Sequence, residues 1–402
     1  MKWEKVKLGE LYEVHNGLSK AGKFFGEGYP FLTFSTVFNN YFIPKQITDL
    51  VQSTEKEQES YSIRRGDVFV TRTSETSDEL GMSCVALKDY PMATYNGFTK
   101  RMRPITNRVL PEYIGYYMRL PSFRGEFRAF STMTTRASLR NEDLLGLEVK
   151  LPSIEIQKQI ADILSAYDDL IENNQKQIKL LEEAAQRLYK EWFVDLNFPG
   201  HENTKIVDGV PEGWQCCKVR DVADINSSAL PKNYKEDFID YVDLGSVRCG
   251  HIETRTRYNL NEAPGRAKRC AKDGDIIWGM VRPNLKAYAL VTNPKETDVF
   301  STGFAVLSAK KVPYSYLYCA VTQEEFVGYL VNATNGAAYP AVKPVHFEVA
   351  DILKPDDKVL EQFHSVADSI YRKKEALENQ NHNLRESRDL ILPKLMSGEV
   401  EV

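Results

Sequence analysis

Few residues in this sequence have the types and spacing that catalysis or cofactor binding would need. Phe24, Gly26 and Gly28 fit the FxGxG pattern of a methyl-donor site, but Tyr29-Pro30 follows at once, and a glycine-rich turn is the favoured interpretation. The sequence contains no GxxxxGK(S/T) loop for a nucleoside triphosphate. It also contains no Asn/Asp-Pro-Pro-aromatic tetrapeptide that would hold an extruded base for methylation.

The acidic, thiol and imidazole side chains do not follow a metal-site pattern. Asp67 and Asp275 each follow a glycine at the start of an apolar run, where turn formation is the expected role. The six cysteines form no CxxC pair and share no metal-like spacing with the six histidines, as expected of thiols in a reducing cytoplasm. We therefore expect a chain that is not an enzyme and holds no metal or cofactor of its own.

Two sets of polar residues have the chemistry to read bases. Thr71, Arg72 and Thr73 end one apolar β-like run, and Arg282, Asn284 and Lys286 follow another. An arginine fork pairs with guanine O6 and N7, and an asparagine amide pairs with adenine, so this mixture predicts direct readout of DNA. The alternative for each arginine is a structural ion pair.

A second pair of segments lies further along the chain, each before an apolar stretch. One contains Thr134, Thr135 and Arg136, and the other contains Asn335, Tyr339 and Lys343. Small residues there would let the backbone approach a phosphate, although an ordinary tight turn explains Asn335-Gly336 equally well. The basic residues Lys100, Arg101 and Arg103 are assigned to phosphates before bases.

Charge is segregated along the chain, although the net charge is only −4. Residues 1–150 carry 21 Lys+Arg against 18 Asp+Glu, residues 201–355 carry 19 against 19, and the segments 151–200 and 356–402 are acidic, with 5 against 9 and 7 against 10. Basic side chains are concentrated in the windows 100–140 and 248–286. A polyphosphate partner needs such a local field rather than a basic whole chain, but a solvated mixed-charge surface would show the same counts.

An internal repeat of about 200 residues relates the two halves of the sequence. Trp3 and the residues after it recur at Trp214, Gly66-Asp67-Val68-Phe69 recurs as Gly274-Asp275-Ile276-Ile277, and Gly97-Phe98 recurs as Gly303-Phe304. The order is kept while the offset shrinks from 211 to about 203, as expected if the second copy has shorter loops. The repeat predicts two duplicated domains.

The elements that must position these residues differ within each copy. Short β-rich runs broken by Gly, Pro and Asn, with helical pieces such as 111–120 and 313–321 between them, predict an α+β domain with a mixed sheet. Each copy then ends in a helix of about 34 residues, or about 50 Å, with an apolar seam at spacings of three and four.

The seam residues on the first helix are Ile163, Tyr167, Leu170, Asn174, Ile178, Leu181, Ala185, Leu188 and Trp192, and those on the second are Phe363, Val366, Ile370, Lys373, Leu377, Asn381, Leu384, Arg388, Ile391 and Leu395. Asn174 is expected to fix the helix register. Since neither helix buries its stripe alone, we expect the two to pair antiparallel. The alternatives are packing on the adjacent domain or an intermolecular coiled coil.

The central region resembles that of type I restriction-modification specificity subunits. The resemblance lies in Leu151-Pro152, Gln157-Lys158-Gln159-Ile160-Ala161-Asp162-Ile163-Leu164, Asp168-Asp169-Leu170-Ile171-Glu172-Asn173-Asn174 and Ala185-Gln186-Arg187-Leu188-Tyr189-Lys190-Glu191-Trp192-Phe193. Pro211-Glu212-Gly213-Trp214, Gly274-Asp275-Ile276-Ile277-Trp278, Arg282-Pro283-Asn284-Leu285-Lys286 and Ser301-Thr302-Gly303-Phe304 are also similar to the second recognition domain of that family. The first domain departs from the pattern at Val70-Thr71-Arg72-Thr73, so its equivalent of Arg282 is left open.

The resemblance implies a pseudo-twofold arrangement of two target-recognition domains, residues 1–150 and 201–355, joined by coiled-coil helices in 151–200 and 356–402. Each domain would read one half of a split DNA site, and the helices would set the spacing and dock methyltransferase subunits, to which restriction and translocation subunits attach. S-adenosylmethionine, ATP and Mg would then belong to those partners. Trp192 and Phe193 are either a buried end of the helix or an anchor for a methyltransferase subunit.

The N-terminal segment has no apolar core typical of a signal peptide, and no stretch approaches the length of a membrane span, so a cytoplasmic protein is expected. Two other functions remain open. A coiled-coil adaptor would show no salt-dependent DNA binding, and a self-sufficient DNA methyltransferase would bind the methyl donor as the isolated chain.

Overall fold

The computed structural model describes residues 3–74, 79–130, 137–334 and 340–402. The chain forms two compact units, the first made of Met1–Glu172 and Asn381–Val402 and the second of Asn173–Gln380. Each unit therefore contains one β-rich domain and a part of both long helices. Thr134, Thr135, Arg136, Asn335 and Tyr339 lie outside the described residues, so nothing in the structure bears on their predicted roles.

The first half of the chain contains these elements in order: β1 (Glu4–Lys7), α1 (Leu8–Leu11), β2 (Tyr12–Asn16), β3 (Phe25–Leu32), α2 (Phe34–Asn39), β4 (Leu50–Val51), α3 (Glu55–Ser60), β5 (Val68–Thr71), β6 (Thr73–Ser74), β7 (Ser83–Val85), β8 (Thr94–Tyr95), β9 (Thr99–Pro104), α4 (Pro111–Tyr117), α5 (Pro121–Phe130), β10 (Ala137–Ser138), α6 (Asn141–Gly146), β11 (Glu148–Leu151) and α7 (Ile154–Tyr189).

The second half contains these elements in order: β12 (Ile206–Val207), β13 (Val210–Pro211), β14 (Gln215–Lys218), α8 (Val219–Val222), β15 (Ala223–Ile225), β16 (Phe238–Val242), β17 (Val247–Arg248), β18 (His251–Ile252), β19 (Thr256–Asn259), β20 (Ala267–Arg269), β21 (Ile276–Gly279), β22 (Tyr288–Leu290), β23 (Asp298–Ser301), β24 (Phe304–Ala309), α9 (Tyr314–Val321), α10 (Glu324–Asn332), α11 (Pro344–Glu348), β25 (Asp351–Lys354) and α12 (Asp357–Ser397).

The main sheets of the two domains have the same strand order. An antiparallel sheet runs β2-β9-β5-β7 in the first domain and β15-β24-β21-β22 in the second. A second sheet contains a parallel pair, β3 with β8 in the order β4-β3-β8 of the first domain and β16 with β23 in the order β19-β16-β23-β20 of the second. The first strand of each domain pairs with the strand that leads into the long helix, β1 with β11 and β14 with β25. This shared strand order agrees with the duplication predicted from sequence, and the mixed α/β content agrees with the predicted fold class.

The central strands β5 and β21 are buried on both faces. Because side chains alternate along a strand, Val68 and Val70 enter the core shared with the helices, while Phe69 enters the core between the two sheets. Ile276 and Trp278 alternate with Ile277 in the same way. The apolar runs that the sequence marked as strands are therefore the middle of each domain.

The structure corrects one alignment of the repeat. Thr71 pairs with Thr99 in the first domain and Gly279 pairs with Phe304 in the second, so the residue equivalent to Phe304 is Thr99 and not Phe98. The sequence alignment matched Phe98 with Phe304, whose ring is buried, and so was one residue early in the first copy. The error arose because both copies contain the motif Gly-Phe, at registers that differ by one residue.

The turn predictions for the aspartates are confirmed. The backbone N–H of Arg64 donates to Asp67 Oδ2 at 2.7 Å, and that of Lys272 donates to Asp275 Oδ2 at 2.8 Å. Phe24 of the FxGxG segment ends a 3₁₀ turn, but its two glycines lie in β3, where the pairing with β4 is irregular. Gly28 has φ +104° and a Cβ there would stand 2.6 Å from the Val51 carbonyl oxygen, which accounts for this glycine by backbone packing.

The long helices exceed the predicted length, with 36 residues in α7 and 41 in α12, or about 54 and 62 Å. In the second unit Asn174 Nδ2 donates to Gln380 Oε1 at 3.0 Å, and Lys374 Nζ lies 2.7 Å from Glu182 Oε1. Partners therefore run in opposite directions along the two helices, which are antiparallel there. No helix among the described residues has the length and hydrophobicity to span a membrane.

The predicted seam is shifted at several positions. Leu170, Val366 and Lys373 are exposed, whereas their neighbours Ile171, Ala367 and Lys374 are buried. The apolar spacing did not reveal this because each helix also packs against its own domain, so more than one stripe is buried. Lys374 is 5% exposed, which its ion pair with Glu182 makes possible.

Candidate nucleic-acid interface

The loop that joins β21 to β22 in the second domain carries three of the predicted contact residues. Residues 280–287 contain two basic residues and no acidic residue. Arg282 and Asn284 are exposed, and Lys286 is half-buried with its Nζ 2.5 Å from Glu324 Oε1. The loop thus presents an arginine and an asparagine to solvent, with the lysine held by its own domain.

The backbone of this loop is fixed at both ends. Pro283–Leu285 is a single 3₁₀ turn, flanked by Arg282 at φ +49° and Lys286 at φ +53°. Left-handed conformations are costly for residues other than glycine and persist where the surroundings impose them. Here the N–H of Arg282 donates to the Pro340 carbonyl at 2.8 Å, and the N–H of Cys249 donates to the Lys286 carbonyl at 2.9 Å.

The segment that begins at Pro340 lies against this loop. Val281 and Ala341 form an antiparallel bridge, and the N–H of Val342 donates to the Met280 carbonyl at 2.8 Å. The exposed Lys343 follows directly, as the residue that precedes α11. The structure therefore brings Arg282, Asn284, Lys286 and Lys343 into one pair of adjacent segments.

The first domain has the same arrangement. The N–H of Leu139 donates to the Arg72 carbonyl at 3.0 Å, and β6 pairs with β10. Thr73 lies in β6, and the structure describes its backbone alone. Thr71 is fully buried, and its hydroxyl donates to the Glu79 carbonyl at 2.5 Å and accepts from the Met82 N–H at 2.9 Å. The side chain of Thr71 therefore stabilises the hairpin from inside and does not lie at the surface.

Arg72 is half-buried at the mouth of this hairpin. Its Nη1 lies 3.4 Å from Asn16 Oδ1, and its Nε is buried with no hydrogen-bond partner among the described residues. Burial, and next the positive charge of Arg72, lower the pKa of Lys100. These two cations disfavour each other, so an anionic ligand at this place would relieve their repulsion.

The other basic residues of β9 serve the first domain itself. Lys100 is 5% exposed and donates to Asn141 Oδ1, and Arg101 is 3% exposed and donates to the Ser62 carbonyl at 2.8 Å. Arg103 forms a bidentate ion pair with the buried Asp67, at 2.8 and 2.6 Å. The predicted phosphate contacts are thus given structural roles, and contact between these residues and DNA stays a prediction.

Trp192 and Phe193 lie in a π-helical turn, Lys190–Val194, at the end of α7. Phe193 is 6% exposed, with ring centroids 4.8 Å from Tyr316 and 5.0 Å from Phe363. Trp192 is partly buried against Phe363 at 6.0 Å. Both rings pack in the core of the second unit, which favours the buried-end interpretation, and a contact with another subunit stays a prediction.

Sequence reasoning missed two exposed apolar side chains at these loops. Leu285, in the 3₁₀ turn, is 61% exposed, and Phe98, at the turn before β9, is 56% exposed. The Phe98 carbonyl accepts from the Arg72 N–H at 3.0 Å, as the Gly303 carbonyl accepts from Met280 at 2.8 Å. No sequence signal marks them, since an apolar residue beside a turn is ordinarily assigned to the core.

Comparison with known proteins agrees with this architecture. Residues 1–183 match the family model of the type I restriction modification DNA specificity domain. The MjaIX specificity subunit of Methanocaldococcus jannaschii is 26% identical over 100% of this chain and 94% of its own length. The HindI specificity subunit of Haemophilus influenzae is 21% identical over 99% of both chains.

Among solved structures, the S subunit of the type I restriction-modification system from M. genitalium covers 98% of this chain and 96% of its own, with a TM-score of 0.58 at 14% identity. At that identity the likeness concerns the fold. The chain is therefore a two-domain protein of mixed α/β content. It is similar over its whole length to type I restriction-modification specificity subunits, and its residues 1–183 match the DNA specificity domain of those systems.

Proposed function

We propose that this chain supplies DNA sequence specificity to a type I restriction-modification complex, with each domain reading one half of a bipartite site. The observation that carries the proposal is the repetition of one surface: each domain places a hairpin loop beside a second polar segment, on sheets of identical strand order. Arg282, Asn284 and Lys343 are the proposed contacts in the second domain, and Arg72 is the proposed contact in the first.

The two readers are residues 1–150 and 201–355, and the helical segments 151–200 and 356–402 join them as an antiparallel coiled coil with pseudo-twofold symmetry. Two contacts support this. Asp168 pairs with Arg388 in the first unit, and Glu182 pairs with Lys374 in the second, so both helices contribute to both units. A ruler built in this way sets the spacing of the half-sites and offers surfaces to methyltransferase subunits.

The chain acts without chemistry of its own in this proposal. The specificity subunits it resembles support that division of labour. S-adenosylmethionine, ATP and Mg would be bound by the methyltransferase and restriction subunits, and double-stranded DNA would be the direct ligand of this chain.

Domain replacement tests the two-reader proposal. The complex of the chain with its methyltransferase is prepared with residues 201–355 exchanged for the matching domain of a relative, and methylated sites are mapped by sequencing. We expect one half of the recognised sequence to change and the other to persist. A change in both halves would contradict separate readers, and an unchanged sequence would leave the adaptor function as the better account.

Helix insertion tests the ruler. One heptad added after Ile178 and another after Asn381 keeps both seams continuous and lengthens them by about 10 Å. That is close to three base pairs at ~3.4 Å each, with a rotation of roughly 100° between half-sites. We expect the same half-sites with a longer spacer, or loss of activity if the twist is not absorbed. An active variant with the original spacer would show that the helices do not set the distance.

A further inference from the structure

We propose that Leu285 reads a thymine in the half-site of the second domain, by contact of its side chain with the C5-methyl group in the major groove. This inference rests on the proposed function and adds a residue and a base to it. Leu285 lies between Asn284 and Lys286, three residues after Arg282, at the exposed turn of the loop.

Exposure of this leucine is imposed by the backbone. A single exposed leucine is common on protein surfaces and by itself means little. Here, however, the turn that presents it is closed by the N–H of Leu285 donating to Arg282 at 2.9 Å and that of Lys286 donating to Pro283 at 3.0 Å. Pro283 is buried beneath it. Two residues in the left-handed conformation thus hold the Leu285 side chain, which is 61% exposed, away from the core.

The neighbours of Leu285 identify the kind of surface it would meet. Arg282 and Asn284 are exposed on the same loop, and their side chains have the hydrogen-bonding patterns for guanine and adenine. Thymine is the base that presents an apolar group in the major groove, so an apolar side chain directly after an asparagine, on a loop that also carries an arginine, complements it. Lys286 forms an ion pair with Glu324, which offsets its charge and anchors the loop to the domain.

The first domain provides a parallel. Phe98, 56% exposed, stands at the mouth of the corresponding hairpin, where its carbonyl accepts the N–H of Arg72. Phe98 occupies the place of Gly303 and not that of Leu285, so the two domains each have a large exposed apolar side chain near an arginine but present it from different loops. Apolar contacts are among those by which proteins read base edges, whereas contacts to phosphates are hydrogen bonds.

The test uses the complex of the full chain with its methyltransferase and DNA carrying its mapped site. Each thymine of the half-site read by residues 201–355 is replaced in turn by deoxyuridine, which lacks the methyl group, and Kd is measured by fluorescence anisotropy. For the unaltered chain we expect one position at which the replacement weakens binding about fourfold, the value for one buried methyl group. Leu285→Ala should reduce that thymine-to-uracil ratio to about one while other positions keep theirs.

Two variants serve as controls. Leu285→Met keeps an apolar side chain and should retain the preference, and Leu260→Ala alters a leucine in a 3₁₀ turn beside the other sheet of the same domain and should change nothing. The proposal is overturned if Leu285→Ala keeps the ratio at every position, or if the half-site contains no thymine on either strand. Failure of the two-reader function is recognised separately, by domain replacement that leaves the half-site unchanged.

Discussion

The two domains share a strand order but fill it with different chemistry. Opposite the central strand, β9 of the first domain carries Lys100, Arg101 and Arg103, where β24 of the second carries Ala305, Val306 and Ser308. Asp67 consequently pairs with an arginine. Asp275 has a serine as its partner, and burial raises its pKa.

The contact between each domain and the long helices differs in the same way, with charged residues in the first unit and uncharged residues in the second. In the first unit Tyr116 donates to Asp168 Oδ2 at 2.6 Å, and Asp168 also pairs with Arg388. At the equivalent places, 203 residues on, Cys319 contacts the Tyr371 hydroxyl at 3.0 Å. Position 185, equivalent to Arg388, is a buried alanine. The comparison shows that the same strand order and the same contact with the long helices can be built with either charged or apolar residue pairs. The side chains at these two places are therefore free to diverge between the domains.

Removing Arg103 should produce the largest effect, because it leaves Asp67 buried and without its cation. Asp67 is 0% exposed and Arg103 18% exposed in their side chains. We expect Arg103→Met to destabilise the first unit by about 3–5 kcal/mol. Urea unfolding followed by circular dichroism measures this. Since the two units need not unfold together, the transition of the first unit is the relevant one.

Arg108→Met is the matched control for this prediction. Arg108 pairs with Glu4 at 2.7 Å, but the two side chains are 41% and 64% exposed, so the pair should contribute only about 0–1 kcal/mol.

In the second domain, Ser308→Ala removes the residue equivalent to Arg103 and should cost about 1 kcal/mol. Equal losses in all three variants would show that the buried ion pair does not distinguish the domains.

The next effect concerns the turn between β17 and β18 of the second domain. Gly250, between β17 and β18, has φ +93°, and a Cβ would stand 2.7 Å from Glu182 Oε1 and 3.2 Å from the Tyr318 hydroxyl. Gly250→Ala should therefore destabilise the second unit by roughly 2 kcal/mol through backbone strain and displacement of Glu182. Its thermal unfolding midpoint measures the change.

Gly265→Ala provides the comparison for Gly250, because Gly265 lies in the same domain with nothing within 4 Å of its added Cβ. This control should leave the midpoint unchanged or slightly raised, since alanine restricts the unfolded chain. A loss as large as that of Gly250→Ala would mean that close approach to Glu182 is not the cause.

The sequence predicted those parts of the fold that depend on local pattern. Apolar runs such as Val68 to Val70 marked central strands, and the spacing of Ile160 to Trp192 marked a long helix. Phe98 and Leu170 were misassigned because an apolar residue type alone does not show which side of a turn is buried. It also does not show which side is buried in a helix that packs against two neighbours. Residues 282 and 284 were placed correctly on a surface loop, since a polar segment after a strand leaves the sheet. The exposure of Leu285 depends on left-handed neighbours that no composition reveals.

The smallest expected effect concerns His251, which faces Glu182, Glu378 and Lys374 in the second unit. His251 Nδ1 lies 2.7 Å from Glu378 Oε1 and its Nε2 lies 3.5 Å from Glu182 Oε2, while Lys374 Nζ lies 2.7 and 3.6 Å from the two carboxylates. Hydrogen bonds to Glu182 and Glu378 raise the pKa of His251 to about 9, against burial and the charge of Lys374. The pKa of Glu182 is lowered, because hydrogen bonding to His251 and the charge of Lys374 outweigh its burial.

Because the folded pKa of His251 lies above its unfolded value near 6.5, its contribution to stability is full below that pH and disappears as the pH rises through about 9. At the acid end, the contribution of Glu182 is lost as the pH falls through its lowered pKa. His251→Gln should therefore destabilise the second unit near pH 6 and have no effect above pH 10. Since 37% of the His251 side chain is exposed, solvent screening limits the difference to about 1 kcal/mol. Unfolding midpoints at pH 6, 8 and 10 measure it, with His382→Gln, an exposed histidine on α12, as control. If the unfolding midpoint of His251→Gln stays lowered at pH 10, His251 contributes by packing. The charge of His251 would then not be what holds this turn of the second domain to the helices.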